Sequence, residues 1–198
     1  MALSNYDELQ TAIVDFAPEI APSDPISTFI SLAESEFFPL LKHYKQETTV
    51  SLTSADNAVE LPDDVQDIRA IRVDGVIAKP VSAYGAELYA GQIGYFQSGD
   101  SLVFVPASNT ARSVELTYYA TPAALSEDMP QNWVLKKFPQ VYLRASLVQA
   151  YRWRQNPEAE AREDALLQKA LATLVQDHKK RTQSGNTIIL DGGNPYVA

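Results

Sequence analysis

The sequence predicts an α+β fold: a helical bundle formed from N- and C-terminal helices, with an inserted small antiparallel β domain and an extended C-terminal arm. Three observations carry that prediction. Apolar residues recur with helical period near both ends of the chain, and with a two-residue period between them. Charge then stops after Arg181: the last seventeen residues hold one charged side chain, Asp191, among Gly, Asn, Ser, Thr and apolar residues. The expected division is 1–45 for the N-terminal helices, 46–121 for the β module, 122–183 for the C-terminal helices and 184–198 for the arm.

In "SNYDELQTAIVDFA", Tyr6, Leu9, Ile13 and Phe16 share one helical face. "APEIAPSDP" interrupts with three prolines, and Asp24 before Pro25 reads as an N-cap with proline at the first helical position. Ile26, Phe29, Ile30, Ala33, Phe37, Leu40 and Leu41 make the second stripe, which Pro39 should kink or fray. "ETTVSLT" then alternates Thr48, Val50 and Leu52 against Glu47, Thr49 and Ser51, the rhythm of a half-buried strand. "IRAIRVDGVIAKPV" is two β-branched runs about Asp74-Gly75, a type I′ hairpin signal, and "IGYFQSGDSLVFVP" repeats the design about Ser98-Gly99-Asp100. Between them "SAYGAELYAG" reads as a short helical turn. "SVELTYYATP" closes the module with Val114, Leu116 and Tyr118 on one face.

Helices return in "NWVLKKFPQVYLRASLVQAYRWR". It is apolar on nearly all sides, so several neighbours should bury it. The final helix has Asn156 as N-cap, Pro157 at the first position and acids in its opening turns. Leu167, Ala170, Leu171, Leu174 and Val175 form its stripe. At 1.5 Å per residue it should reach about 40 Å.

With 198 residues, 45% hydrophobic and 21% charged, the chain is long enough for a real core and is globular in composition. It has no cysteine, which removes disulfides, thiolate metal sites and cysteine nucleophiles together. "MALSNYDELQ" lacks the basic and apolar regions of a signal peptide, and no apolar run approaches membrane-spanning length. These features predict a soluble protein made in the cytoplasm, with no membrane partner. A net charge of −9 argues against a protein that grips nucleic acid through its phosphates. The clusters "HKKR" (178–181) and "YRWR" (151–154) read as cations at helix C-termini.

Catalytic patterns are scarce. His43 and His178 are the only histidines, and neither lies beside a carboxylate pattern that would suggest a metal site. There is no glycine-rich phosphate loop or nucleophile elbow. "PDDVQD", with Asp63, Asp64 and Asp67, lacks the glycine and the final glutamate of a calcium loop and reads as a capped turn. Glu158, Glu160, Glu163 and Asp164 could supply the carboxylate pair of a glycosidase, but their place at a helix N-terminus already explains them. No catalytic residue, cofactor or metal is therefore expected. Among the aromatics, Trp133, Tyr151 and Trp153 are candidate interface anchors as well as candidate packing residues.

The element order and two longer motifs carry a family resemblance. "LPDDV..IR.IRVDG" and "ELTYYA.P..LSE....NW.L......YL.ASL..A", spread over residues 5 to 185, resemble the head-to-tail adaptor, or connector, proteins of tailed bacteriophages. Arg144 departs from the pattern, which has a small or aromatic residue after "VYL". The resemblance implies a non-enzymatic virion protein at the head-tail junction, made in the host cytoplasm. It implies assembly with itself as a ring, commonly a dodecamer, beneath the portal protein. Such a ring extends the DNA channel, takes part in genome ejection and offers a platform to tail nozzle or tail-tube proteins, with double-stranded DNA passing without tight binding. Within it the arm residues Ile188, Ile189, Leu190, Gly192, Gly193, Tyr196 and Val197 are expected to dock on the portal. A head-completion or stopper connector is the related alternative, and a phage-associated peptidoglycan hydrolase the alternative from another class.

Overall fold

Asn5 starts the first helix. Its side-chain oxygen accepts the Glu8 N–H at 2.8 Å while Glu8 accepts the Ser4 N–H at 2.7 Å, so amides that a helix start leaves open are satisfied. In this computed structural model, which describes residues 3–85 and 88–183, α1 spans Tyr6–Phe16 and α2 spans Ile26–Phe37. Their predicted apolar stripes are buried except at the ends, where Phe16 and Leu40 are exposed. Asp24 does not cap α2. Its carboxylate accepts instead from the Ala21 N–H and the Arg154 guanidinium, each at 2.7 Å. Pro39 stops the helix as expected, and Phe38–Leu40 tighten into a 3-10 turn.

Seven strands follow: β1 Glu47–Thr53, β2 Ala58–Glu60, β3 Val65–Val73, β4 Val76–Pro80, β5 Ile93–Ser98, β6 Ser101–Val105 and β7 Ser113–Ala120. They form one sheet in the order β1-β7-β3-β4-β5-β6-β2. The two edge strands, β1 and β2, are consecutive in the chain and joined only by residues 54–57. Laid flat, seven strands would hold their edges about 29 Å apart, whereas four residues reach at most about 14 Å. The sheet must curl until its edges approach, and it becomes a nearly closed barrel.

The expected helical bundle with a small antiparallel insertion is thereby overturned. The sheet is seven-stranded, curled and mixed, because β4 and β5 pair in parallel. The five described helices, from five to twenty-seven residues long, pack on one another around a core of their own. A two-residue period reports which face of a strand is buried, not how far a sheet curls or which strands become neighbours. The parallel pair needs a crossover of about a dozen residues, and residues 81–92 supply it. That segment forms no helix among its described residues. The hairpin turns are as predicted: Asp74 and Gly75 both take positive φ, +50° and +81°, and Gly99 turns β5 into β6 at +60°.

After the sheet, α3 (Trp133–Lys137), α4 (Pro139–Trp153) and α5 (Pro157–Gln183) complete the chain. The stretch 132–154, read as one helix, is split at Phe138, since Pro139 cannot donate into a continuous ladder. As its all-round apolarity predicted, α4 is buried from Val141 to Tyr151 except at Arg144, against α1, α2, α3 and α5. Asn156 caps α5 through the Ala159 N–H at 3.2 Å. One apolar cluster fills the space between the helices and a second fills the sheet, around Ile71, Val73, Leu102, Phe104 and Leu116.

Polar side chains join the two. Gln66 on β3 places its amide nitrogen within 2.9–3.0 Å of the carbonyls of Phe38, Pro39 and Leu41, which end the α2 turn. Gln46 donates to the Gln66 oxygen at 2.8 Å and accepts the His43 N–H at 2.9 Å. Deeper in, the buried Glu34 carboxylate accepts the Leu125 N–H and the Tyr142 O–H, both at 2.8 Å. Burial raises its pKa above the ordinary carboxylate range, and the two hydrogen bonds oppose the rise. Glu34→Leu would leave both donors buried without an acceptor, so urea melts should show a loss of about 1–3 kcal/mol. Tyr142→Phe removes one donor from the same acceptor and should cost about 0.5–1.5 kcal/mol.

Candidate functional site

The arm residues Ile188, Ile189, Leu190, Gly192, Gly193, Tyr196 and Val197 lie outside the described residues. The three candidate interface aromatics fall at different depths. Tyr151 is buried in the helical core. Trp153, at the end of α4, is 47% exposed, with the Phe29 ring 5.6 Å away and the Arg154 guanidinium 4.6 Å over its face. Trp133 is half-buried and stacks on His43 at 4.8 Å, with 14° between the planes. The structure does not gather these three into one patch.

Around Trp133, however, it gathers residues that sequence spacing left apart. A second 3-10 turn, Tyr44–Gln46, follows His43 and meets the C-terminal part of α5. His43 is completely buried, with Nε2 3.0 Å from Asp177 Oδ2. The Lys45 N–H points at Nδ1 from 3.3 Å, which puts the ring proton on Nε2, donating to Asp177. The Tyr44 N–H donates to His178 Nδ1 at 3.0 Å. Lys137 donates to the Tyr44 hydroxyl at 2.9 Å and to Asp177 Oδ2. Three segments distant in sequence, 43–46, 133–138 and 177–181, thus close on one another.

Electrostatics fix the protonation there. Burial is the largest influence on His43 and lowers its pKa from 6.5, only partly offset by the Asp177 carboxylate. The Lys137 hydrogen bond is the main cause holding Asp177 below the ordinary range, and Asp177 in turn raises Lys137. At neutral pH the arrangement is a neutral imidazole beside an ion pair. It pins the end of α5, from which the chain continues into residues 184–198.

The candidate hydrolytic carboxylates do not form a dyad. Glu163 is buried against Arg144 at 2.8 Å and Arg162 at 3.3 Å, whereas Asp164 is exposed and accepts from Gln168. Glu160 pairs with Arg152, and Glu158 is exposed beside a shallow hollow of Asn156 and Arg162. Arg144 is thus the partner that makes Glu163 tolerable inside. Asp64 accepts the Tyr118 hydroxyl at 2.9 Å and Asp67 pairs with Lys42. With Asp63 and Asp100, Asp67 lines an open polar hollow of about 530 Å³ beside Tyr95. No group of three or more His, Asp or Glu side chains is placed to hold a metal ion among the described residues.

What this geometry describes is a protein that presents surfaces: a curled sheet at one side and a long helix pinned near the end of its described residues. The family model for the SU10 adaptor protein matches residues 4–189. The chain belongs to that family, whose members are phage adaptor proteins. It is accordingly a structural virion component that works in contact with other capsid or tail proteins. The search of curated proteins gave no match. No helix among the described residues is long and apolar enough to cross a membrane.

The His43 arrangement sets a pH dependence. The unfolded chain takes up a proton at this residue near 6.5, whereas the folded chain resists it until lower pH. The unfolded state therefore binds more protons in that window, and stability falls as pH drops below about 6.5. Thermal melts between pH 7.5 and 5.5 should show the decline, and His43→Gln should flatten it.

Proposed function

We propose that the chain is a head-to-tail adaptor that assembles as a twelve-fold ring beneath the portal protein. The observation that carries this reading is the unbroken family match, which takes in both helical segments, the whole sheet and the first residues beyond α5. In this reading the ring extends the DNA channel and offers its far side to nozzle or tail-tube proteins during genome ejection. Double-stranded DNA passes without being held, because the chain is acidic overall, at −9. Asp63, Asp67 and Asp100, around their open hollow, are the carboxylates we assign to the channel side.

The arm is the portal anchor in this reading. Helix α5 carries the chain about 40 Å from its start at Pro157, and the arm continues from its end. Gly192 and Gly193 suit an extended path, while Ile188, Ile189, Leu190, Tyr196 and Val197 supply apolar anchors for a partner's groove. Ordering such a segment costs about 1–2 kcal/mol per residue, and repetition around a ring restores avidity through effective concentration. Trp153 and its exposed surroundings are the remaining candidate contact between copies.

Co-sedimentation with the portal ring of the same virus tests the reading, using the full chain and a version ending at Arg181. Capture of the full chain and loss of capture on truncation are expected. Equal capture of both would remove the arm from the interface, and no capture of either would overturn the adaptor assignment.

A further inference from the structure

The cations of this acidic chain are unevenly placed. Segments 42–45, 136–137 and 179–181 hold seven of its sixteen lysines and arginines. The contacts among Tyr44, Lys137, His178 and Arg181 draw these segments together at the end of α5. The carboxylates within this region, Asp67 and Asp177, are already paired with Lys42 and Lys137. Lys45, Lys136, Lys179 and Lys180 are exposed and make no ion pair among the described residues.

From Lys137 the same surface runs into a groove between the start of α4 and the middle of α5. Its volume is about 330 Å³. Phe138, Val141, Leu166 and Ala170 supply apolar lining; of its cations, Lys137 and Arg144 are paired with Asp177 and Glu163, and Lys169 makes no ion pair among the described residues. No carboxylate lines it, although the chain carries twenty-five acids against sixteen bases. Leu166 is 39% exposed in the free chain.

We infer that the basic end of α5 and this groove form one docking surface, and that its occupant is an acidic segment of a partner protein anchored by an apolar side chain. The chemistry selects that occupant over a nucleic acid. A phosphate backbone would satisfy the cations but has no apolar group to cover Phe138 and Leu166. The net charge of −9 would also repel a duplex beyond the roughly 8–10 Å over which a local patch is felt. A peptide with carboxylates on either side of a leucine, methionine or phenylalanine satisfies both features at once. Because the surface adjoins the point where residues 184–198 begin, the inference rests on the portal reading above and assigns this partner segment to the portal.

The test is portal capture by the full-length chain and by a charge-reversed chain, Lys169→Glu with Lys180→Glu. Both positions are exposed and make no ion pair among the described residues, and matching melting curves would show that the fold is kept. Capture of the wild type should weaken as salt rises from about 0.05 to about 0.3 M, and charge reversal should weaken it about tenfold or more at the lower salt. Leu166→Asp should do the same at either salt by spoiling the apolar lining. Undiminished capture of the charge-reversed and Leu166 variants would overturn this inference and leave the adaptor reading standing. No capture of the wild type would overturn both. A labelled 30-base-pair duplex (roughly three helical turns) bound by the wild type and released by charge reversal, with portal capture unchanged, would reassign the surface to nucleic acid.

Discussion

The pairing of the first strand with the last is the constraint on which the rest of the molecule depends. Glu47 at the start of β1 lies opposite Tyr119 near the end of β7, and the register holds through Thr53 opposite Ser113. The chain therefore leaves the helices and returns to them at the same place. Only because of this can α1 and α2, written before the sheet, share a core with α3, α4 and α5, written after it. The closure entropy of so long an excursion grows slowly with length, and the ladders within the sheet offset it locally. Helix α4 is the beneficiary: it has almost no polar side, and it is stable only where four neighbours cover it.

Two kinds of polar contact hold the parts at fixed angles. Between sheet and helices neutral amides, Gln46 and Gln66, meet backbone carbonyls beside one exposed ion pair, Lys42 with Asp67. Along α5 they are charged: Glu163 with Arg144 near its beginning, and Asp177 with Lys137 near its end. Between these ionic fastenings Leu167 and Leu174, seven residues apart, are the buried apolar contacts of the helix. That narrow seam leaves most of the α5 surface to solvent.

Much of the local structure was legible in the sequence. The alternation in "ETTVSLT" places β1 correctly, Asp74-Gly75 gives its turn, and Asn156-Pro157 opens the last helix, because each is decided by neighbours in the chain. What the sequence withheld was decided at a distance. The curl of the sheet follows from a strand order that no periodicity encodes. Asp24 looked like a cap and was claimed by Arg154, 130 residues away. The histidines showed no mutual spacing, yet 134 residues of chain separate Tyr44 from the His178 nitrogen it donates to. Helical period in "HKKR" explained those cations as a helix end, which they are, but only the fold brings Lys45, Lys136 and Lys137 to the same place.

The contrast between neutral and charged fastenings separates the responses of the two halves to their medium. Amide-to-carbonyl bonds at the sheet joint involve no titrating group, so acid and added salt act on them only weakly. The fastenings of α5 are ion pairs, and that near its end adjoins the imidazole of His43. Changes in ionic conditions should therefore be felt mainly along that helix and at the exposed Lys42–Asp67 pair, while the amide bonds of the sheet joint are left in place. A virion component would then keep the joint between its sheet and helices through such changes, and adjust chiefly where its longest helix meets its neighbours.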